Sequence, residues 1–338
     1  MSTTSQVTDF SDLYTDLMNR VRSDTSQTAT STQAKRYINI ALQDMHLGFD
    51  YRFPWAERAA RLIIRAQYST GTVTATQGST TLTGTSTVWT TTDAFGIANA
   101  RANGKIKIAG SLTPYVVQSV GGAGTITLTS KFTEATATDT TYLYYEDEYD
   151  LASDFLRPVD AQRFSDEVSI DLIGRTEFRR RYPTNSTPGR VAVASIIDSA
   201  PSGNTTPIRR VRFAPPPSEA MTIPYAYITS NLATSSAGVA QANLSADADE
   251  PIVPLRYRHA LVFHALYHWY RDKKDDTRSA EAKGEYTDIM LRMAADNEVG
   301  GNRPQIQPRV SGYARAAKRP WSGGARRYDL NGKFDRMG

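Results

Sequence analysis

The stretch PLRYRHALVFHALYHWY, residues 254–270, decides the fold of this chain of 338 residues. It is dense in large apolar and aromatic side chains, and a helix with such a surface needs partners that cover it. The apolar positions are Leu255, Tyr257, Leu261, Val262, Phe263, Leu266, Tyr267 and Trp269. The rest of the sequence therefore has to supply helices that pack against this one.

Two amphipathic helices are predicted near the start of the chain, because apolar residues recur there at spacings of three and four. Ser31 or Thr32 is expected to cap the second helix, which is expected to end near Gly48, and Pro54 closes the helical region. The first helix, 9–22, has its apolar face at Phe10, Leu13, Tyr14, Leu17, Met18 and Val21, and the second has it at Ala34, Tyr37, Ile38, Ala41, Leu42 and Met45.

A further helix is predicted over 279–297, after a turn formed by Asp275, Asp276 and Thr277. Short amphipathic helices are marginal alone and cannot hide all their apolar stripes by pairing only with each other. Each large apolar side chain that becomes buried contributes roughly 1.5–3 kcal/mol, which outweighs propensity differences within a helix. Both ends of the chain are therefore expected to build one helical bundle domain.

The middle of the chain has the texture of β-structure. Alternating runs at 72–75, 106–108, 115–117 and 125–128, separated by glycine-rich turns, predict short strands. Their spacing favours a small barrel or sandwich. A second β region is predicted at 191–197, 208–213 and 221–229, with a break at the three prolines 215–217 and a short helix over 170–181 before it.

These segments give an α+β fold of five parts. The expected boundaries are 1–67 for the first part of the helical domain, 68–147 for an inserted β module and 148–250 for a mixed β region with a short helix. The second part of the helical domain follows at 251–300, and an extended basic C-terminal arm occupies 301–338.

Charge is divided unevenly along the chain. The net charge is +4, but from Arg303 onward nine basic residues stand against two acidic ones, which gives +7 and leaves 4 − 7 = −3 for the preceding residues. The arm is rich in Pro and Gly, and ordering each residue costs about 1–2 kcal/mol of backbone entropy. We expect a partner subunit to hold the arm in place.

Composition excludes some kinds of site. The chain has no cysteine, so disulfides and thiolate metal sites are ruled out. Neither a basic start followed by an apolar run nor a stretch that spans a bilayer is present, and a soluble protein without membrane contact is expected.

His264 and His268 stand one helical turn apart, the spacing that zinc sites use, but the Glu that a metalloprotease needs after the first His is replaced by Ala265. Polar positions at a domain surface or subunit interface are the favoured interpretation, with no metal site.

The glycine run 121–124 is interpreted as a hairpin turn, because it lies between strands. The acidic clusters 146–148 and 247–250 are interpreted as solvated turns rather than cation sites. No nucleophile elbow, phosphate-binding loop or dinucleotide motif occurs.

The basic residues 179–181 and the arm offer sequence-blind affinity for phosphates, and the aromatic residues among them offer stacking surfaces for bases. We favour a cationic arm laid along an acidic protein surface, because an extended arm suits the Pro and Gly breaks and no groove-reading helix is evident. The expected partner-binding residues are Arg309, Tyr313, Arg315, Lys318, Arg319, Trp321, Arg326, Arg327, Tyr328 and Phe334.

Three segments together resemble the head-to-tail adaptor (connector) proteins of tailed bacteriophages: AKRYINIALQD at 34–44, FPWAE at 53–57 and HALVFHALY at 259–267. The likeness covers most of 1–65 and 145–300. It implies a helical wedge repeated in a ring beneath the portal, commonly in twelve copies, with the C-terminal arm reaching onto portal subunits. The block 68–147 departs from the minimal adaptor pattern, although its stretch from Gly78 to Trp89 is similar to repeats of many phage structural proteins.

The resemblance implies a structural protein of the virion at the head–tail interface, assembled in the host cytoplasm. Its expected partners are the portal protein, a tail or nozzle protein and further copies of itself. No catalytic residue, cofactor or metal is expected. Two alternatives stay open. One is a nucleic-acid-binding virion protein whose basic tail makes non-specific contact with packaged DNA. The other is a metal-dependent hydrolase centred on His264 and His268.

Overall fold

The computed structural model describes residues 7–22, 28–47, 53–200 and 206–297, together with the backbone of 327–328 and 334–335. Short 3₁₀ helices occur at Pro54–Ala56 and Leu255–Tyr257. The α-helices are α1 (Phe10–Arg20), α2 (Thr28–Leu47), α3 (Arg175–Arg181), α4 (His259–Asp272) and α5 (Asp276–Asn297).

Many strands lie between α2 and α4, so the expectation of a mixed α+β fold is confirmed. The first eight are β1 (Glu57–Ile64), β2 (Thr72–Ala75), β3 (Thr81–Thr85), β4 (Lys105–Ile108), β5 (Tyr115–Gly122), β6 (Thr125–Leu128), β7 (Ala137–Thr140) and β8 (Tyr142–Tyr145). The others are β9 (Glu148–Asp150), β10 (Phe155–Pro158), β11 (Arg163–Ser165), β12 (Ile170–Leu172), β13 (Val193–Ser199), β14 (Ile208–Ala214), β15 (Met221–Thr229), β16 (Ala233–Thr234), β17 (Ala240–Gln241), β18 (Glu250–Pro251), β19 (Arg327–Tyr328) and β20 (Phe334–Asp335).

Helices from both ends of the chain share one hydrophobic core. Helices α1 and α2 contact α4, and α4 also packs along α5. The small sheet β17-β16-β18 adds apolar side chains to the same core. Fully buried members include Leu13, Leu17, Ile38, Leu42, Leu261 and Met290. The stretch 254–270 thus lies between partners that are more than 200 residues away in sequence on one side and adjacent on the other.

Two helix starts differ from the sequence expectation. Helix α5 begins at Asp276, so Asp276 and Thr277, predicted as part of the preceding turn, lie in its first turn. Helix α2 begins at Thr28, so Ser31 and Thr32 lie inside its first turns rather than at its cap. Their hydroxyl groups donate to the Thr28 carbonyl at 3.0 and 2.8 Å, a backward bond that keeps both residues helical. Helix α1 has the expected kind of cap, because Asp9 accepts a hydrogen bond from the amide of Asp12.

Residues 57–64, placed in the helical part by the sequence analysis, form strand β1 instead. This strand pairs antiparallel with β15 along its whole length, from Glu57 opposite Ile228 to Ile64 opposite Met221. Strand β10 pairs with the other edge of β15. The side chains of Leu62 and Ile64 are buried in a second core, distinct from the helical one.

The second core lies between this sheet and a five-stranded sheet of order β11-β12-β13-β14-β9. Strands β12 and β13 are parallel, and the other neighbours are antiparallel. The predicted helix over 170–181 is wrong in its first half: Ile170–Leu172 is strand β12, and Gly174 precedes the short helix α3. Buried Ile170 contributes to the second core, so tertiary packing decides the strand.

The block 68–147 forms a seven-stranded sheet of order β7-β2-β3-β6-β5-β4-β8 with its own core around Trp89 and Tyr144. All neighbours that it contains are antiparallel. Gly121, Gly122 and Gly124 lie at the β5–β6 hairpin, as predicted. Tyr68 and Tyr144 form an isolated antiparallel bridge where the chain enters and leaves this sheet. Among the helices of the described ranges, none is both long and apolar enough to cross a membrane.

Candidate functional site

The arm residues predicted to bind a partner fall almost entirely beyond the described ranges. Arg327 and Tyr328 lie in β19 and Phe334 lies in β20, and these two-residue strands pair antiparallel. The remaining predicted residues of the arm are outside the described residues: Arg309, Tyr313, Arg315, Lys318, Arg319, Trp321 and Arg326. The candidate site with defined geometry therefore lies elsewhere, in the helical core.

Three potential metal ligands converge between α2 and α4. His264 and His268 stand on one face of α4, and Asp44 faces them from α2. Their Nε2 atoms lie 3.0 and 3.1 Å from Oδ2 of Asp44, and 3.3 Å from each other. The three ligand atoms thus form a nearly equilateral triangle.

Helical geometry explains this arrangement. Residues four apart lie on the same side of a helix, so both imidazoles of α4 point at α2. On α2, Asp44 follows buried Ala41 by three residues and Tyr37 by seven, which places it at the border of the buried face. The histidine pair was predicted from sequence, but Asp44 was not. The spacing of Asp44 from Ala41, combined with the expected packing of α2 on α4, was a signal that could have identified it.

Aromatic side chains hold both imidazoles in place. The Tyr286 ring, on α5, lies with its centroid 4.4 Å from that of His264. The Tyr37 ring stacks on His268 at 6.3 Å with an interplanar angle of 10°. Rings that are wedged between helices keep their χ angles, so the triangle of ligand atoms is preorganised by packing.

Burial shifts the pKa values of His264 and of its neighbour Tyr286. The side chains of His264 and His268 are 12% and 15% exposed, whereas Asp44 is 48% exposed. Burial lowers the pKa of His264 below its ordinary value, although the hydrogen bond with Asp44 acts in the opposite direction. The imidazole of His264 is therefore neutral at pH 7. Burial, with a contribution from the Asp44 carboxylate, also raises the pKa of Tyr286 to about 12.

The acidic cluster 146–148 is a buried ion-pair network, and its interpretation as a solvated turn is wrong. Glu146 and Asp147 are 6% and 1% exposed. Asp147 accepts from Lys105 at 2.7 Å and from Arg212 at 3.0 Å, which joins the inserted sheet to β14. Glu146 pairs with Arg101 at a distance of 3.1 Å from the guanidinium Nε. Every one of these acids has a cationic partner, so the cluster is structural.

The cluster 247–250 contains an exposed turn, as predicted, with Asp247 and Glu250 more than half exposed, but its acids also have partners within the protein. Asp247 pairs with Lys35 at 2.6 Å and Glu250 pairs with Arg258 at 2.9 Å. Asp249 is buried, and its Oδ2 accepts hydrogen bonds from the amides of Ser245 and Ala246, both at 2.7 Å. Carbonyl groups of the same loop accept from the first amides of α1, so this loop anchors the helix.

The basic run 179–181 forms the last turn of α3, with its three side chains exposed and Arg181 paired with Glu177 at 2.5 Å.

No protein-family model matches this chain, and a search of curated proteins found no match. The functional interpretation therefore depends on the residues of the chain and on the geometry that they form.

Proposed function

We propose that this protein is a structural, non-enzymatic adaptor of a tailed bacteriophage particle, which forms a ring beneath the portal and joins it to the tail. In this proposal the four large helices form a bundle, the strands β2–β8 form a small barrel or sandwich, and the basic arm extends onto the portal. The observation that carries the proposal is the charge division, +7 from residue 303 onward against −3 for all the residues before it.

The place of the arm in the sequence supports separate roles for a folded body and a portal-binding arm. The arm follows α5, a helix of the core that both chain ends build, so it is attached to the most extensively packed helical part. Among the described residues, the three large cores take their members from positions 7 to 293. We therefore expect the body to fold without the arm.

Binding would order the arm at an entropic cost that the anchors have to offset. Large aromatic side chains and arginines carry a disproportionate share of binding energy at interfaces, and the arm supplies Trp321 and Tyr328 among its arginines. In a ring, docking of one arm raises the effective concentration of its neighbours. A modest affinity per arm thus suffices for a stable assembly.

The test compares the full chain with a chain that ends at Gly300, each mixed with purified portal rings and imaged by negative-stain electron microscopy. We expect the full chain to add a ring to the portal and the shortened chain to remain folded but fail to join. Circular dichroism and a melting curve check the folding. Complete assembly by the shortened chain would rule out the role of the arm.

A matched pair of substitutions separates protein docking from binding to packaged DNA. Trp321→Ala removes an anchor and keeps the charge, whereas Arg326→Gln combined with Arg327→Gln removes charge and keeps the anchor. Docking into protein pockets predicts that the Trp321 variant loses portal binding. A DNA role predicts instead that DNA affinity depends steeply on salt and falls in the arginine variant.

A further inference from the structure

We infer that Asp44, His264 and His268 bind a divalent transition-metal ion, with zinc as the best fit, and that this ion ties the two ends of the chain together. The site is independent of the adaptor role. Asp44 comes from α2 and the histidines from α4, 220 and 224 residues further along the chain.

The distances among the ligand atoms match a coordination sphere. In a tetrahedral zinc site with bonds of about 2.0–2.1 Å, neighbouring ligand atoms lie roughly 3.3 Å apart, and octahedral geometry brings them to about 3.0 Å. The three separations here are 3.0, 3.1 and 3.3 Å. An ion placed over the triangle therefore reaches all three atoms without movement of the backbone.

The ligand types select the class of ion. Two imidazoles and one carboxylate suit Zn²⁺ and other first-row ions, whereas Mg²⁺ and Ca²⁺ prefer oxygen ligands alone. An imidazole that binds a metal is a neutral ligand, so the Asp44 carboxylate is the anionic ligand of the three. The exposed carboxylate of Asp44 leaves the solvent side open, so that water can complete the sphere.

The surroundings favour ligand positioning and moderate the affinity. Both imidazoles are wedged by Tyr37 and Tyr286, so little side-chain freedom is lost when an ion binds. The cations Lys283 and Arg271 lie near enough to interact with the cluster electrostatically. Both are exposed, and solvent screens their repulsion.

The alternative without metal is a hydrogen-bonded cluster in which both imidazoles donate to one carboxylate oxygen. Nδ1 of His264 is buried without a hydrogen-bond partner in either state, so this atom does not distinguish them. The hydrogen-bonded cluster places two Nε2–H groups close together, which is unfavourable because both carry partial positive charge. Metal titration distinguishes the two states directly.

The experiment uses the full-length protein without a histidine tag, stripped of metal with a chelator and titrated with ZnCl₂ by calorimetry. We expect one zinc per chain and, at about a hundredfold excess over the dissociation constant, a rise of roughly 5 °C in the melting temperature. Asp44→Asn and His268→Gln should each weaken zinc binding at least about tenfold. The matched control is His259→Gln, which changes a histidine of the same helix outside the cluster and should leave binding unaltered.

A second measurement keeps the inference testable even where a variant folds poorly. Co²⁺ added to the wild-type protein should give the intense visible absorption of a low-coordinate site, and Zn²⁺ should displace it. A cobalt spectrum identical to that of the hydrated ion would overturn the inference. So would zinc binding that survives in both cluster variants.

Discussion

The ammonium group of Lys105 lies 2.7 Å from the carboxylate of Asp147, and this pair joins strand β4 of the inserted sheet to the segment that leaves the sheet. Asp147 also holds Arg212 of β14 at 3.0 Å. Two cations from two sheets thus share one buried anion, and the relative placement of the sheets depends on it.

Replacing Asp147 should lower the free energy of unfolding substantially. Asp147→Ala leaves Lys105 and Arg212 without their shared partner in a poorly hydrated site, and breaking a buried pair costs about 3–5 kcal/mol. Urea unfolding followed by tryptophan fluorescence measures the change. Asp166→Ala is the matched control, because Asp166 is 79% exposed and lies 3.9 Å from Arg163. Its loss should cost less than about 1 kcal/mol, and equal effects of the two substitutions would contradict a structural role of the network.

Gly104 is required by the close approach of Tyr144. A Cβ atom at position 104 would overlap the Tyr144 ring, whose hydroxyl accepts from the Arg101 amide at 2.8 Å and donates to Glu146 at 2.7 Å. We expect Gly104→Ala to destabilise the protein by about 1–3 kcal/mol. Gly284→Ala provides the control in the same assay. Its Cβ meets nothing within 4 Å on helix α5, so it should instead stabilise by up to about 1 kcal/mol.

Acid should weaken the loop that anchors α1. Burial alone would raise the pKa of Asp249, but the hydrogen bonds from Ser245, Ala246 and Gln241 outweigh it and the pKa is lowered. A lowered pKa in the folded state gives stability that is present above the unfolded value of about 3.9 and is lost as the pH falls through the folded value. We expect the gap in unfolding free energy between wild type and Asp249→Asn to shrink below about pH 4. A gap that stays constant from pH 7 to pH 3 would contradict this.

The cap of α1 offers a smaller effect with a clean comparison. Asp9 accepts a hydrogen bond from the amide of Asp12 at 2.9 Å, and losing an N-cap acceptor costs about 0.5–2 kcal/mol. Asp16→Ala, further along the same helix, removes only an exposed pair with Arg20 and should cost roughly 0.3–0.5 kcal/mol. Chemical denaturation of Asp9→Ala and Asp16→Ala measures both losses in unfolding free energy, and we expect the larger loss for Asp9→Ala. A larger loss for Asp16→Ala would exclude capping by Asp9.

Periodicity predicted the four long helices well, because apolar residues repeated every three or four positions share one face only in a helix. Strand β1 escaped prediction for a physical reason. Its exposed positions carry Glu57, Arg58 and Arg61, and only Leu62 and Ile64 are buried, so alternation is visible over its last residues alone. The pairing with β15, far along the chain, makes this segment a strand.

Only part of the candidate metal site could be predicted from the sequence. The spacing of His264 and His268 is local and readable, whereas the contribution of Asp44 depends on how two distant helices pack. The same limit applies to the acidic cluster 146–148. Whether a carboxylate is solvated or buried is decided by cations such as Lys105 and Arg212, and their proximity is a property of the folded sheets rather than of neighbouring sequence.

The bridge between Tyr68 and Tyr144 has a consequence for how such a chain diversifies. Each residue donates its amide to the carbonyl of the other at 2.8 Å, so the chain enters and leaves the inserted sheet at adjacent points. Because the two backbone connections of the sheet meet at this bridge, one recombination event can add or remove the sheet and a short turn can close the chain, with loss of the pair between Lys105 and Asp147. Relatives that differ by the presence or absence of some eighty residues at this point are then compatible with one unchanged helical scaffold.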